Sequence, residues 1–385
     1  MPREHAKIKF NDNESMKKLR ISWPKIESKR LIRLIWPFIL VVLVYLSVRY
    51  AVVNARFVEQ YYATGIYPWI ARIFSGFSNL FPFSLWDLFW VFTVVAVLTG
   101  IIYVMLRKKK PGWFGLRIVQ FAALLYTFFY LVWGFNYFRP KIDARMDWKT
   151  FKSDEILFRA VLDSIIVHTN ASHVALSTTD YPAIDSLVEV SYQKNSKVLG
   201  INYPNGSRRP KTMLFSSFFA KSGVSGYFGP FFNEIHLNDY LLPMEYPFVL
   251  AHEKAHQFGI TNEAEANMAA FVVCSTSSDR RLQYAGYVNL MVYFLSDASQ
   301  MNDVKDFVRR IDKPVILDLQ LQRRHWQGLQ NKTLDRMQTA ANNAYLKTNH
   351  IEEGVKNYNR VVALVISYYH NFNGEGVRQN QTEKN

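Results

Sequence analysis

The chain is nearly without cysteine. A single thiol, Cys274, serves 385 residues, which excludes a disulfide framework and a cysteine-built zinc knuckle. That residue reads as a small buried hydrophobe. Acidic residues are also scarce, 31 against 46 lysines and arginines, for a formal net charge of +15. A nucleic-acid partner would account for the excess if the basic residues formed a face of their own. They do not: residues 1–138 hold 18 basic and 6 acidic side chains, whereas residues 139–385 hold 28 and 25. The excess flanks apolar segments and no nucleic-acid motif accompanies it, so no nucleic acid is expected as a partner. There is no internal repeat. No small-residue cleavage site follows the first apolar run, which also lies too far into the chain for a signal peptide.

What the chain has in quantity is apolar side chain, 49% of residues, with aromatics at 16%. Three runs concentrate it: 34–53, 85–106 and 116–138. Each approaches the roughly 20 residues that a helix needs to cross a bilayer. Trp36, Trp86, Trp90, Trp133 and Tyr137 sit at their margins as an aromatic belt, and Arg49, Asp87 and Arg117 lie near the ends, where they are expected to reach the interface. The expected partner is the lipid bilayer, and the expected organisation is a basic tail (1–30), a three-helix transmembrane region (31–138) and a second domain (139–385) whose last residues, 374–385, are loose. Lys17, Lys18, Arg20, Lys25, Lys29, Arg30 and Arg33 in the tail, and "RKKKPGW" (107–113), outnumber Arg56 and Arg72 in the loop 54–84. The positive-inside rule then puts the N-terminus in the cytoplasm and residues 139–385 outside it: a multi-pass cell-membrane protein, its second domain periplasmic if the cell has two membranes. The apolar, aromatic loop "YPWIARIFSGFSNLFPF" (67–83) is expected to lie along the outer interface.

Beyond residue 138 the pattern is that of a mainly helical α+β domain. Helices are expected over 153–170 and over 179–200, the latter with Asp180 as cap, Pro182 early and Gly200 at its exit. "TMLFSSFFA" (212–220) and "FFNEIHLN" (231–238) read as short strands separated by the glycine-rich 221–230. The strand "EIHLN" (234–238) is a candidate to pair with a peptide, and His236 on it reads as a structural histidine.

The chemistry concentrates in "AHEKAHQFGITNEAEAN" (251–267). On a helix over 241–259, His252 and His256 project from one face a turn apart, the spacing at which two imidazoles share a tetrahedral ion. Glu253 lies beside them as general base, since zinc brings the pKa of a bound water to about 7. After Gly259 a second helix, 261–274, carries two candidate third ligands. With Asn262 as N-cap, Glu265 falls where a capping box closes. Glu263 stands at the first helical position with Asn267 four residues on, and Glu265 lies about 200° away, so only one of the two glutamates faces a metal. Asn267 is placed to hydrogen-bond a ligand. His325, His350, His370 and Tyr227 are candidates for stabilising an oxyanion.

"HEKAH" followed by "NEAEAN" resembles the gluzincin peptidases, in which HExxH precedes a helix bearing E-x-x-x-D. The resemblance implies His252, His256 and Glu263 as zinc ligands and Glu253 as base. Asn267 departs from the usual aspartate, the interval before Glu263 is short, and Lys254 replaces a usually uncharged residue. "HEKAHQFGITN" also echoes the metzincin HExxHxxGxxH, with Asn262, a poor ligand, in third place. Over nearly the whole chain, three N-terminal spans, "LFSSFFAKSGVSGYFGPFFNEIHLN", "HEKAHQFGITNEAEAN" and "YLKTNHIEEGVKNYNRVV" follow the order of a bacterial membrane family, domain of unknown function 3810, which implies a zincin-like fold. The expected function is that of a membrane-anchored zinc (Zn2+) metallopeptidase, a hydrolase acting on peptides or proteins. The alternative is a non-catalytic pseudo-peptidase serving as sensor or scaffold, and Glu253 separates the two, because zinc binding alone needs no base. A transporter is disfavoured by the lack of interior charge pairs and inverted repeats.

Overall fold

A computed structural model of the protein describes residues 28–107, 111–148, 155–175, 180–349 and 360–372. The tail before residue 28, lysines 108–110, the start of the helix expected from 153, His350 and the tail 374–385 lie outside these.

Three helices are long and apolar enough to cross a membrane: α1 (Ser28–Val53), α3 (Leu85–Leu106) and α4 (Pro111–Val132). At about 1.5 Å per residue, the 22 residues of α3 give roughly the 30 Å of a hydrocarbon core. Asp87 is the one buried residue of α3, and most of the helix surface is exposed or half-exposed. The segment between α1 and α3 is helical, ending in α2 (Tyr67–Ser78). α2 is two-faced: Tyr67, Ala71, Ser75 and Ser78 are buried, while Trp69, Ile73 and Phe77 are exposed. That is the form of a helix lying at an interface.

The remainder packs helices around one core: α5 (Glu155–Ser172), α6 (Tyr181–Asn195), α8 (Tyr246–Gln257), α9 (Glu263–Ser275), α10 (Arg280–Ala298) and α13 (Val361–Phe372), with α11 (Lys313–Leu329) joining it through Val315 and with α7 (Ser216–Lys221) and α12 (Lys332–Thr348) outside it. Asp180 caps α6 through the Ala183 amide, as the sequence predicts; the helix ends at Asn195, short of the expected exit, and turns lead on to Gly200 at φ +59°. Every residue of α9 from Glu263 to Cys274 is buried, so α9 is the axis of the domain. Cys274 points at the Pro247 carbonyl, and burial pushes its thiol up.

A small sheet has the order β1–β3–β2, with β1 (Lys211–Thr212) parallel to β3 (Glu234–Leu237) and β2 (Gly226–Gly229) antiparallel to it. Two sequence expectations change here. The stretch 212–220 is not a strand: it leaves the sheet after Thr212 and becomes α7, which presents Phe218 to the outside. And β3 is central, paired on both sides, so it is not the strand that a peptide could join; β1 and β2 are the edges, and β2 is the longer.

The membrane helices and the domain are joined through helix ends. Leu85, Trp86 and Asp87 begin α3 with free amides. The Glu234 carboxylate of β3 accepts from the first two at 3.2 and 2.9 Å, and the Ser84 hydroxyl from the third at 2.8 Å. Ser84 also meets His236 Nε2 at 2.8 Å, which makes His236 a structural residue. Asp87 does not reach for water. Its carboxylate accepts from the Leu214 amide and the Tyr227 hydroxyl, tying α3 to β2.

Lys254, the odd residue of the HEKAH motif, points away from the histidines and is fully buried. Its ammonium donates to Glu189 of α6 at 2.6 Å, and Arg208 donates to the same carboxylate. Burial alone would raise the Glu189 pKa, but the two cations outweigh it and hold the carboxyl at about 2. Removing one member of such a cluster leaves charges uncompensated. Glu189→Gln is therefore expected to cost about 3–5 kcal/mol, read as a lowered melting temperature of the detergent-solubilised protein. Because the folded pKa lies below the unfolded value of about 4.3, this contribution is present above that pH and fades as pH falls towards 2. The gap between wild type and variant should close over that window; a gap independent of pH would show that Glu189 acts by shape alone.

Candidate metal centre

The site is built where α8 ends. Pro247 sits in the first turn of α8, and Gly259 lies just past its exit at φ +83°. There the Ile260 amide donates to Ala255 and the Gly259 amide to His256, closing the helix with the paired bonds of a Schellman turn. The turn carries the Ile260 carbonyl back to His256, whose Nδ1 donates to it at 2.7 Å. A Cβ on Gly259 would stand 3.0–3.1 Å from Asn136 and the Tyr67 ring.

The membrane segment holds the same helix end. Trp133 Nε1 donates to the His256 carbonyl at 3.0 Å, and the Tyr67 hydroxyl to that of Gln257 at 2.7 Å. Arg139 chelates Glu59 and donates to the carbonyls of Gly259 and Gly200, each at 2.9 Å. A cation among the last carbonyls of a helix complements its dipole.

After the turn, Asn262 caps α9 by accepting from the Glu265 amide. The reciprocal half of a capping box is not made. The Glu265 carboxylate accepts instead from the Ile142 amide at 3.0 Å and from Arg145 at 3.0 Å, with both side chains buried. Its role is to bind the chain emerging from α4, which explains why Glu263 is the one left facing the histidines.

His252 Nε2, His256 Nε2 and one carboxylate oxygen of Glu263 converge, His to His at 3.2 Å and His to Glu at 3.2 and 3.5 Å. Four ligands at 2.0–2.1 Å on a tetrahedron stand about 3.3–3.4 Å apart, so the three atoms already lie on the edges that zinc requires. The other ring nitrogens are committed: His252 Nδ1 lies 2.8 Å from Asn267 Oδ1, and His256 Nδ1 lies 2.7 Å from the Ile260 carbonyl. Both Nε2 atoms are thereby turned to the common point. The converging Glu263 oxygen is buried without a hydrogen-bond donor. Burial opposes its charge, yet the imidazoles hold its pKa far below the usual range, and Glu263 and Glu253 push His256 up to about 9 against the same burial. A buried acceptor facing two imidazole edges is what a cation would satisfy. Asn267 is fixed in turn by the Tyr293 hydroxyl at 3.3 Å.

Glu253 lies beside the cluster and outside it. Its carboxyl packs on Gly226 of β2, where a Cβ would come within 2.7 Å of Oε1. Burial raises its pKa. These groups line a cavity of about 710 Å³, the size range of ligand sites. Its other walls are Ser222–Phe228, Trp133 and Tyr137, and the α12 face bearing Asp335, Gln338, Asn342 and Tyr345.

Of the four oxyanion candidates, Tyr227 lines the cavity with its hydroxyl committed to Asp87, and His325 hydrogen-bonds the Tyr240 carbonyl outside the cavity. His370 lies on α13 away from the lining, and His350 is outside the described residues. The tyrosines that the sequence reading missed are Tyr293 and Tyr345, both in the lining and both raised in pKa by burial and by Glu263, Tyr345 to about 12. The positions 335, 338, 342 and 345 repeat at three and four, a helical face visible in the sequence had a cavity been known to need one.

About one zinc per chain is expected in the purified full-length protein, by elemental analysis. Glu263→Ala should lose it. Asn267→Ala should weaken zinc binding about 10- to 100-fold in a chelator competition. Glu265→Ala should keep zinc and lose about 3–5 kcal/mol of stability by stranding Arg145, well above the roughly 1 kcal/mol of a lost cap. Zinc lost from the Glu265 variant but kept in the Glu263 variant would exchange their roles.

No curated protein and no solved structure matches the chain. Residues 62–366, which run from the segment before α2 through the metal centre to α13, match the family described as "Protein of unknown function (DUF3810)". The chain belongs to that family.

Proposed function

We propose that the protein is a zinc-dependent metallopeptidase anchored in the membrane, with its cavity outside the cytoplasm. The observation that carries the reading is the tetrahedral spacing of His252, His256 and Glu263 with a buried carboxyl, Glu253, next to it. Zinc there would supply Lewis acidity towards water and towards a peptide carbonyl. Glu253 accepts a proton from the attacking water and returns it to the leaving nitrogen as the C–N bond breaks. Its raised pKa brings it closer to neutral pH, where a base that must also act as an acid works best. Tyr345 and Tyr293, protonated at neutral pH, are the donors available to the developing oxyanion.

The substrate strand has a place beside the base. The Asn238 amide donates to the Ser225 carbonyl in the β2–β3 register, so Gly226 and Phe228 are the residues whose backbone groups face the open edge. A peptide extended along that edge would pass over Glu253, which packs on Gly226.

Glu253→Gln should retain zinc and lose cleavage of a broad peptide library by about 10²- to 10⁴-fold, metal content being measured on the same samples. Equal cleavage by variant and wild type would trace the activity to a contaminant. For the sidedness, alkaline phosphatase fused after Asn385 should be active outside the cytoplasm; activity confined to a cytoplasmic reporter at that point would reverse the topology.

A further inference from the structure

We propose that Leu214, Phe215 and Phe218, with Leu80 and Phe83 beside them, are seated in the lipid leaflet on the domain's side, and that the metal cavity consequently takes polypeptides tethered to that membrane. The second half rests on the peptidase reading; the first does not.

All five side chains are large, apolar and about half exposed or more. Their backbone is fixed at the level where α3 enters the bilayer. The Leu214 amide donates to Asp87 in the first turn of α3, and Lys211 donates to the carbonyls of Ser78 and Phe81. Arg209 holds Asn79 through its side chain and its carbonyl. Segment 209–214 thus runs along segment 78–87; Met213 turns into the protein, and Leu214, with Phe215 and Phe218 beyond it, is exposed beside the start of α3. Exposed apolar residues in one patch mark an interaction surface, and this patch is continuous with the lipid-facing surface of α3. The bilayer is therefore its occupant.

The cavity follows from that placement. Four residues after Phe218 the chain reaches Ser222, and Ser222–Gly226 is one cavity wall. Trp133 and Tyr137, immediately beyond the last turn of α4, are another. α3 starts and α4 ends on the same side of the membrane, so both walls rise directly from the bilayer surface. A tethered chain enters such a site at the high local concentration that tethering confers.

The buried Cys274 leaves single introduced cysteines free for labelling. Spin labels at Phe218→Cys, Leu214→Cys and Phe83→Cys in the full chain in lipid nanodiscs should collide with oxygen in preference to a water-soluble nickel complex, with Val308→Cys as the reference in water. Preference for nickel at the three sites, or shielding from both quenchers as a second protein copy would produce, overturns the leaflet seat. In the same membranes, a peptide library on a lipid anchor should be cut about 100-fold faster than the same library free in solution, with Glu253→Gln as blank. Leu214→Ser with Phe218→Ser should lower the tethered rate and leave the free rate unchanged. Equal tethered and free rates would leave the peptidase reading standing and remove the tethered substrate. Labels in lipid with neither library cut would uphold the leaflet seat and remove both the peptidase reading and the substrate drawn from it.

Discussion

Helices that end inside a protein leave unpaired backbone groups, and here two such ends are placed so that the membrane segment and the domain satisfy one another. The free amides at the start of α3 receive Glu234 and Ser84. The carbonyls at the end of α8 receive Trp133, Tyr67 and Arg139, with the His256 carbonyl also accepting from the Gly259 amide. Unmade, each of these bonds would leave a buried polar group at a cost of roughly 1–3 kcal/mol. The first joint roots the sheet in α3 and so fixes β2. The second fixes the rotation of α8 and so fixes both histidines. The distance between Glu253 and the strand it packs on is therefore set by two membrane helices and is not a private matter of the domain.

The same economy of partners decides which carboxylate faces the histidines. Glu189 is taken by Lys254 and Arg208, Glu265 by Arg145 and the Ile142 amide, Glu234 by the α3 amides, and Glu59 by Arg139. Each is neutralised by a cation or by helix-end dipoles, as buried carboxylates must be. Glu263 has only the imidazole edges and an oxygen without a donor. The buried Glu263 oxygen that faces both imidazoles is where an external cation would be held.

What was legible in the sequence is what local periodicity controls. The three long helices, the Asn262 and Asp180 caps, the Gly259 exit and the shared face of His252 and His256 follow from spacing and backbone preference within one or two turns. What was not legible depends on partners far along the chain. Asp87 near an apolar run reads as a residue reaching for the interface until Tyr227, 140 positions on, supplies its donor. Lys254 reads as an anomaly until Glu189 is found across α6. Glu265 meets the spacing of a capping box, yet buried Arg145 outcompetes the Asn262 amide for its carboxylate. The stretch 212–220 has strand-forming aromatics, but a helix lets Phe218 face outwards, and no local rule states that the outside there is apolar. Strand order is equally remote: β3 becomes central because the chain crosses over, which alternation of side chains does not encode.

Glu253 bears most on whether the centre is catalytic. It binds none of the converging atoms, yet it is buried at a cost to its charge and it fills the space that a Cβ at position 226 would need, so a side chain there would have to displace its carboxyl. A scaffold that used zinc only to hold α8 against α9 would be stabler with an apolar residue at 253, because an uncompensated buried carboxyl is the more expensive choice. Gly226 also costs the edge strand rigidity. Two unfavourable residues meet beside His252 and His256 in the cavity wall. General-base catalysis gives that pairing a use that metal-supported folding does not.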